Sequence, residues 1–363
     1  MKVKVKKNDF KDAIGRVNKI LKKNLLYNKT IFMEVSTDEI RLTGVQNAIS
    51  MQTKIEDVIA DEPFKCLFEV NMIIALLSKM TANDIILDYN QKKRELFLVS
   101  DMAKVKLRCE DPQNFAGWKK LDEPDFEKET AVLFPRINEC KHALPANNAN
   151  SIMSSFCIQY GNDDWKITAL DGYRVSERGK IEKAECTILA PGDTMALLES
   201  IFLNGTITIA MKKDQLWIRD EYTTVNLNTV YGNYFNVDNI LHTDYPFKIN
   251  INRNELLQAL TLANVTLMNG SKKSGIFEFD GKSQVLEIKT EDNIGNQMNS
   301  SIPFTGNLDS ILEFGINIKY ILDAVKNIPD DTITIELKND VSPMRIAGEE
   351  YTEIILPVKL GSN

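Results

Sequence analysis

The chain has 363 residues, of which 43% are hydrophobic and 26% charged, and its formal net charge is −7. These proportions are those of ordinary globular proteins, so a disordered or a fibrous chain is excluded. Single hydrophobic cores stop growing near about 250–300 residues, so we expect two or three domains. The longest apolar run, Met72 to Leu77, is far shorter than the roughly 20 residues that span a bilayer, and we expect no membrane partner.

The cysteine and histidine content argues against catalysis. The five cysteines are widely spaced, with no Cys-x-x-Cys pair, so neither a zinc site nor a disulfide framework is indicated. Only two histidines are present, His142 and His242, and neither lies in a motif of a catalytic triad. No glycine-rich phosphate loop is visible either. We therefore expect a cytoplasmic protein with reduced thiols, no catalytic residue, no metal and no cofactor.

Basic charge is concentrated at the start of the chain, where a helix is indicated. Residues 1–30 contain ten lysines and arginines against two aspartates. Such a segment is either the solvated face of a helix or a surface that meets a polyanion. An apolar stripe at the 3.6-residue period predicts the helix, with Asn8 as its N-cap. The stripe consists of Phe10, Ala13, Ile14, Val17, Ile20 and Leu21.

After this helix, polar turns separate pairs of segments in which apolar residues alternate with polar ones. The three pairs are 31–35 with 39–44, 156–160 with 165–170, and 276–279 with 285–290. Alternation of period 2 around Asn, Asp, Gly and Ser predicts β-hairpins. A helical segment precedes each hairpin: the N-terminal one, a weaker one at 137–144 with Pro135 near its start, and one that follows Asn252 or Asn254.

A second group of elements follows each hairpin and makes the chain repetitive. The short segments 75–78, 196–199 and 320–323 each lead into two further alternating segments. Both groups recur with offsets of 121 to 125 residues. A period this long means duplicated domains and not a solenoid, whose repeats are about 20–50 residues. We expect three similar α+β domains, with boundaries in the weakly periodic, polar stretches, at 1–122, 128–243 and 246–360.

Segments in all three predicted domains match motifs of one known family. Ala169 to Val175 reads A-L-D-G-Y-R-V, which is similar to a family segment A-T-D-G/S-H-R-L. Phe314 to Ala324 is similar to a helix opening F-N-x-x-Y-L-x-D-x-L, and Ile354 to Leu360 to a closing M-P-M/V-R-L. Leu42 to Gly44 and Val341 to Met344 also match. The chain thus resembles the bacterial sliding clamp family, the β subunit of DNA polymerase III, over residues 1–360.

The resemblance implies a fold and a function. The fold would be three tandem similar clamp domains, with helices inside and β-sheets outside, in a head-to-tail dimeric ring. The function would be that of a non-catalytic processivity subunit that encircles DNA. The implied partners are duplex DNA bound without sequence preference, the DNA polymerase III α subunit, the clamp loader, other proteins with a clamp-binding motif, and a second copy of the chain. The alternative is a divergent clamp-fold scaffold, or a mobile-element clamp, that binds peptides but does not encircle DNA.

The resemblance implies one set of residues that contact DNA and another at which two copies of the chain meet. Basic side chains that face phosphates bind DNA without reading its sequence. Those on and just beyond the polar face of the first helix are Lys11, Arg16, Lys19, Lys22 and Lys23. Ring closure would bring the first domain of one copy to the third domain of the other. The candidate interface residues are Val105, Thr266 and Leu267.

The resemblance also places a groove for short linear peptides, which should be apolar with a few orienting polar groups. From the second domain it would include Met153, Leu170, Gly172, Tyr173, Arg174, Val175, Phe235 and Ile240. From the third domain and the C-terminus it would include Asn317, Tyr320, Val341, Pro343, Ile354, Leu356, Val358 and Lys359. Without the resemblance, the same residues read as ordinary strand and turn residues.

Several groove positions depart from the family pattern. Leu170 stands where threonine is usual, Tyr173 replaces histidine, and Phe235 stands where the family has proline. Lys359 replaces arginine and so loses a bidentate fork. We therefore expect a groove that is present but narrower and more aromatic, with a changed peptide preference. Gly361 to Asn363 extend past the family's usual end.

Overall fold

The structure is a computed structural model that describes most of the chain. The described residues are 1–21, 29–115, 117–147, 149–241, 243–268 and 271–359. Lys22 and Lys23, which the sequence predicts to face DNA, lie outside them, as do His242 and Gly361 to Asn363. Within the described part, no helix is both long and apolar enough to cross a membrane.

The chain forms two compact units. The first consists of Met1–Ala131 and Ser200–Thr229, and the second of Val132–Glu199 and Val230–Asn363. These units do not coincide with the three predicted domains, because the middle third of the chain is shared between them. The division into three domains stays a prediction.

The elements follow one order three times along the described chain: a strand, a helix, four strands, a second helix and three strands. The first set is β1 Lys2–Lys6, α1 Lys7–Leu21, β2 Thr30–Val35, β3 Ile40–Gln46, β4 Ile49–Ile55, β5 Ile59–Ala60, β6 Phe64–Glu69, α2 Val70–Lys79, β7 Asp84–Asn90, β8 Glu95–Val99 and β9 Lys104–Glu110, in which β5 is an additional two-residue strand. The second set is β10 Phe126–Thr130, α3 Leu133–Cys140, β11 Ser155–Gly161, β12 Asp164–Leu170, β13 Arg174–Arg178, β14 Cys186–Pro191, α4 Gly192–Phe202, β15 Ile207–Lys212, β16 Gln215–Arg219 and β17 Thr223–Asn228. The third set follows the short helix α5 Asp238–Leu241 and is β18 Phe247–Asn252, α6 Arg253–Thr266, β19 Ser274–Asp280, β20 Val285–Glu291, β21 Gln297–Gly306, β22 Ile311–Asn317, α7 Ile318–Lys326, β23 Thr332–Leu337, β24 Met344–Ala347 and β25 Tyr351–Ile355.

The first helix forms as its apolar stripe predicts. All six residues of the stripe are buried, and α1 packs against β3 and β4. The packing is close, since a Cβ atom on Gly44 would lie 2.6 Å from Cγ1 of Val17. The N-cap prediction was wrong: α1 begins at Lys7, directly after β1, so Asn8 lies inside the helix. The backbone N–H of Lys7 instead donates to the carbonyl of Asn83, at 2.9 Å.

The other predicted helices differ in how well their ends were placed. Asn252 is the N-cap of α6, and its side-chain oxygen accepts hydrogen bonds from the backbone N–H groups of Asn254 and Glu255. The second helix begins at Leu133, four residues earlier than the sequence predicted. Pro135 therefore lies in the first turn of α3, where a missing N–H is tolerated. The three predicted hairpins are confirmed as β2–β3, β11–β12 and β19–β20.

Each unit contains one long antiparallel sheet. The sheet of the first unit has the strand order β10-β15-β16-β17-β4-β3-β2-β6-β9-β8-β7-β1-β5. The sheet of the second unit has the order β14-β11-β12-β13-β25-β24-β23-β18-β21-β20-β19-β22.

Strands from successive sets pair at one place in each sheet, and we call these places the first and the second seam. At the first seam β17 pairs with β4, from Thr223 opposite Thr53 to Leu227 opposite Ile49. At the second seam β13 pairs with β25, from Arg174 opposite Ile355 to Arg178 opposite Tyr351. In both cases the third strand after the first helix of one set, β4 or β13, pairs with the last strand of the next set, β17 or β25. Both seams are therefore the same kind of connection.

Candidate functional site

The turn between β12 and β13 is held by the side chain of Asp171. Its Oδ1 accepts hydrogen bonds from the backbone N–H groups of Tyr173 and Arg174, at 2.9 and 3.1 Å. Gly172 has φ +90°, a conformation that side chains with a Cβ rarely adopt, and it opens onto free space. The turn therefore presents Tyr173 to solvent and directs Arg174 into the protein.

Arg174 connects this turn to helix α7. Its Nε lies 3.0 Å from Oδ2 of Asp171, and its Nη1 lies 3.2 Å from Oδ2 of Asp323. The guanidinium carbon lies 4.2 Å from the centre of the Tyr320 ring, which is a cation–π contact. Burial, with the carboxylate of Asp171 nearby, raises the pKa of Tyr320. Two residues that the resemblance placed in one groove, Arg174 and Tyr320, are thus in direct contact.

An apolar cluster lies beside this connection, at the second seam. Its buried members are Leu170, Val175, Leu241 and Ile354, and its partly buried members are Met153, Tyr234, Val237 and Ile240. Val175 and Ile354 are direct cross-strand partners. The structure therefore brings together five of the predicted groove residues, and Leu170 contributes an apolar side chain where the family has a hydroxyl.

Further predicted groove residues lie in the segments that precede β24 and follow β25. The backbone N–H of Leu356 donates to the carbonyl of Tyr173, and that of Val358 donates to the carbonyl of Gly315, at 2.9 and 2.8 Å. Pro343 directly precedes β24 and Leu356 directly follows β25, so both adjoin the cross-strand pair Met344–Ile355. Exposed apolar side chains are a common sign of a binding surface. Those among the predicted groove residues are Tyr173, Phe235, Val341 and Val358.

Two predicted groove residues have other surroundings, and one is simply exposed. Phe235 lines a separate cavity of about 430 Å³ between residues 233–238 and the strands β11 to β14. Asn317 is the N-cap of α7, and its side-chain oxygen accepts from the backbone N–H of Lys319. Lys359 is exposed at the end of the described chain. Phe235 also contacts a member of the apolar cluster, because the centres of the Phe235 and Tyr234 rings are 5.9 Å apart.

Sequence reasoning missed several residues of this region. Asp171 and Asp323 lie inside the matched motifs, so the motifs themselves carried the signal for the partners of Arg174. Tyr234, Val237 and Leu241 carried no comparable signal, because they lie in a stretch without periodicity. Only folding of that stretch over β12 and β13 brings them to Leu170 and Val175.

A buried polar network supports the second seam from the other face of the sheet. Arg178 and Glu353 are 2% and 1% exposed, and Nη2 of Arg178 lies 2.7 Å from Oε1 of Glu353. Glu353 also accepts a hydrogen bond from Ser176, at 2.8 Å, and lies 3.2 Å from Nε2 of His142. Burial by itself would raise the pKa of Glu353, but the hydrogen bond and charge of His142 and the charge of Arg178 outweigh burial and lower it.

The described residues predicted to face DNA are partly engaged inside the first unit. Nη1 of Arg16 donates to the hydroxyl of Thr223 at 3.1 Å and lies 3.7 Å from Asp220. Nζ of Lys19 donates to the carbonyl and the hydroxyl of Ser200. Lys11 is half-buried on the same helix. The helix thus carries cations away from its apolar stripe, and two of them are oriented by hydrogen bonds, Arg16 by Thr223 of β17 and Lys19 by Ser200 of α4.

The residues predicted for the interface between two copies have different accessibilities. Val105 lies in β9 and is half-buried, and Thr266 is the last residue of α6. Leu267 differs from the prediction: it is buried in the core of the second unit, because as the C-cap of α6 it continues the buried stripe of Leu260 and Ala263. Exposed apolar side chains do occur on this part of the helix, between 52% and 64% exposed. They are Leu262, Val265 and Met268.

Comparison with known proteins agrees with this geometry. Residues 238–359 match the family model of the DNA polymerase III beta subunit, C-terminal domain. The chain is 21% identical to a beta sliding clamp of Streptococcus pneumoniae, over 98% of both chains, and 19% identical to one of Staphylococcus aureus, over 91% of both. Its fold matches the DNA polymerase sliding clamp of Bacillus subtilis with a TM-score of 0.92, at 18% identity over 99% of this chain and 100% of that one. The β subunit of Streptococcus pyogenes DNA polymerase matches with a TM-score of 0.90, at 19% identity and the same coverage. Residues 238–359 thus belong to the family of the DNA polymerase III beta subunit, C-terminal domain, and the chain as a whole is similar to beta sliding clamps.

Proposed function

We propose that this protein is a DNA sliding clamp, a non-catalytic processivity factor that encircles duplex DNA and tethers the replicative polymerase and other replication or repair proteins. The observation that carries the proposal is the threefold element order together with two seams of the same kind. In this proposal the three domains, at 1–122, 128–243 and 246–360, are joined within the chain by the two equivalent seams, and a further seam of the same kind joins one copy to the next.

The two strands needed for a third seam are each only partly paired along the relevant edge within the described residues. By position in the element order, they are β9 of the first set and β21 of the third. Among the described residues, β9 pairs on its β6 side only through Cys109 and Glu110, so the stretch from Lys104 to Arg108 is open there. On its β18 side, β21 pairs only from Phe304 onward. Open strand edges invite pairing with another chain.

A second copy of this chain is the occupant we propose for these edges. Pairing β9 of one copy with β21 of the other, twice, gives a head-to-tail dimer of six domains. The exposed Leu262, Val265 and Met268 at the end of α6 would add apolar area beside Thr266. Changing Val265 to Glu should therefore convert the dimer to a monomer in sizing experiments. Val341→Glu, the same change at a similarly exposed valine outside the proposed interface, should not.

The DNA contact is proposed for the basic side chains of α1, including Lys11, Arg16 and Lys19. Contacts from lysine and arginine to phosphates are sequence-independent, which a protein that moves along a duplex requires. The chain's acidic excess lies outside residues 1–30, so DNA is attracted to one surface and repelled by the rest. Because bacterial DNA is in the cytoplasm, we place the protein there.

The peptide groove is proposed at the apolar cluster and its exposed rim. A linear motif from the DNA polymerase III α subunit, the clamp loader or another clamp-binding protein would bury its apolar side chains against Leu170 and Val175. Tyr173 and Val358 would contribute to the rim. The contacts of Arg174 with Asp171, Asp323 and Tyr320 fix the shape of that rim.

Topological retention on DNA tests the proposal. The protein, loaded with a clamp loader on nicked circular DNA, should stay bound through gel filtration and should be lost after the circle is cut. Equal retention on linear DNA would show electrostatic binding without encirclement and contradict the proposal. A protein that binds clamp-binding peptides but is never retained on circles would be the scaffold alternative.

A further inference from the structure

A second cavity lies on the sheet of the first unit, at the first seam. It has a volume of about 340 Å³ and includes residues of β3, β4, β16 and β17. Leu42 and Met51 are buried on the side of the sheet that α1 covers. Neighbouring side chains along a strand point to opposite faces, so Arg41 and Gln52 lie on the face away from α1. The cavity therefore opens on that other face, across the pairing of β4 with β17.

The lining combines aromatic rings with cations. The aromatic residues are Trp118, Trp217 and Tyr222, and the basic residues are Arg41, Lys54, Lys120 and Arg219. Nζ of Lys54 lies 5.8 Å from the centre of the Tyr222 ring. Glu221 is the acidic residue of the lining. Volumes of about 300–1,000 Å³ with aromatic walls and a few polar groups are usual for ligand sites.

One buried hydrogen-bond donor in the lining has no acceptor. Trp217 is 4% exposed, and its indole Nε1 makes no hydrogen bond within the described residues. Buried polar groups are almost always paired, because an unpaired one loses its hydration without compensation. A ligand that brings an acceptor to Nε1 would satisfy this group.

The cations differ in whether they are already neutralised. Arg41 pairs with Glu39, Lys54 with Glu56, and Arg219 with Glu127. Lys120 is exposed, and no ion pair to it occurs among the described residues. The site therefore offers one unpaired positive charge and one unpaired N–H donor, with aromatic surface beside them.

We propose that this cavity is a second peptide-docking site, which takes a segment with one carboxylate beside an aromatic or large apolar side chain. The carboxylate accepts from Nε1 of Trp217 and pairs with Lys120, while the apolar side chain packs on Trp118 and Tyr222. The cavity lies at the first seam, whereas the apolar cluster lies at the second. The proposal concerns a different site from the peptide groove and does not depend on ring closure.

The charges favour a peptide over a nucleic acid. A single strand of nucleotides carries one phosphate per residue and needs a continuous basic track. Here Glu221 lies in the lining, and Glu39, Glu56 and Glu127 already occupy three of the four cations. A cavity of about 340 Å³ also holds one or two side chains and not a series of bases.

The test uses the full-length protein and two synthetic probes, acetyl-Gly-Asp-Phe-Gly-amide and its Gly-Asn-Phe-Gly counterpart. Binding is followed by the indole N–H resonances, with that of Trp217 assigned through its loss in Trp217→Phe. The Asp peptide should shift this resonance and bind about tenfold more tightly than the Asn peptide, since a hydrogen bond to a charged group is the stronger one. Lys120→Ala should remove most of that difference. Lys92→Ala, the same change at an exposed turn of the same unit, should keep it.

Three results would overturn the proposal. The first is no shift of the Trp217 resonance at millimolar Asp peptide. The second is equal affinity for the Asp and Asn peptides in the unaltered protein. The third is tighter binding of an oligothymidine than of the Asp peptide at the same resonance, which would make the cavity a nucleic-acid site. Because Lys120 is exposed, Lys120→Ala still tests the preference for the Asp peptide over the Asn peptide if Trp217→Phe fails to fold. Retention on circular DNA is scored separately.

Discussion

Removal of one charge from the buried network at the second seam tests how that seam is stabilised. The change is Glu353→Gln, which keeps the size of the side chain and one acceptor oxygen. It leaves the guanidinium of Arg178, 2% exposed, without its buried carboxylate partner at 2.7 Å. Among the residues that the structure describes, the other carboxylate that pairs with Arg178 is Glu139, at 3.0 Å, which is partly exposed.

The expected loss is about 3 kcal/mol of unfolding free energy. Breaking a buried ion pair by removing one partner costs about 3–5 kcal/mol, because the remaining charge stays desolvated. We expect the lower value, since Glu139 still faces Arg178 and the glutamine oxygen can accept from Ser176. A loss of about 3 kcal/mol is a large part of the roughly 5–15 kcal/mol that stabilises a typical protein.

Urea unfolding, followed by circular dichroism, measures this loss. The matched control is Glu350→Gln, which removes a carboxylate that lies 3.0 Å from Arg136 but is 58% exposed. Exposed pairs contribute about 0–1 kcal/mol, so the control should change little. If Glu353→Gln also cost less than about 1 kcal/mol, the buried pair would not stabilise the second seam.

The pH dependence of the same pair has a definite sign. The pKa of Glu353 is lower in the folded protein than in the unfolded chain, where it is about 4.3. Its contribution to stability is therefore fully present above about pH 4.3 and is lost as the pH falls through the lower folded-state pKa. The stability difference between the unaltered protein and Glu353→Gln should shrink in that acidic window. A difference that stayed constant down to the acid limit of folding would contradict the assignment.

Three further predictions concern the groove, the DNA surface and the core. Tyr320→Ala should weaken binding of a clamp-binding peptide by about tenfold, measured by fluorescence anisotropy, because the cation–π contact that holds Arg174 is worth about 0.5–2 kcal/mol; an unchanged affinity would remove Tyr320 from the groove. Lys11→Ala should lower the slope of log affinity for duplex DNA against log salt by about 0.9, the value for one phosphate contact, and an unaltered slope would place Lys11 away from DNA. Gly44→Ala should cost about 1–3 kcal/mol in urea unfolding, since the added carbon would lie 2.6 Å from Val17, and a neutral effect would mean that α1 shifts freely.

Local elements could be predicted where one sequence pattern dominates. The stripe of α1 is buried residue for residue, and the three hairpins form where alternation and turn residues coincide. Helix starts were less certain: Asn252 caps α6, but Asn8 lies inside α1, because the strand β1 runs straight into the helix. A capping residue is a local preference, and the position of the preceding strand overrides it.

Only some residues of the candidate groove could be predicted from the sequence. Leu170, Val175 and Ile354 were found through motifs, and the structure packs them together. The sequence did not predict Leu241, Tyr234 and Val237 as part of the groove, because an irregular segment has no periodicity that shows which side chains are buried. The cavity with Trp118 and Trp217 was not predicted either. Its walls include the strands β3 and β4 and the strands β16 and β17, which are more than 150 residues apart in the chain.

The sequence by itself determined the threefold repetition of the chain, the type of most elements and the basic character of the first helix. These are properties of spacing and composition along one segment. Only the tertiary structure decided the two seams, the burial of Arg178 against Glu353, and the contacts of Arg174 with Tyr320 and Asp323. Strand pairing between distant segments uses backbone hydrogen bonds that every residue except proline can make, so the side chains along a strand do not specify its partner.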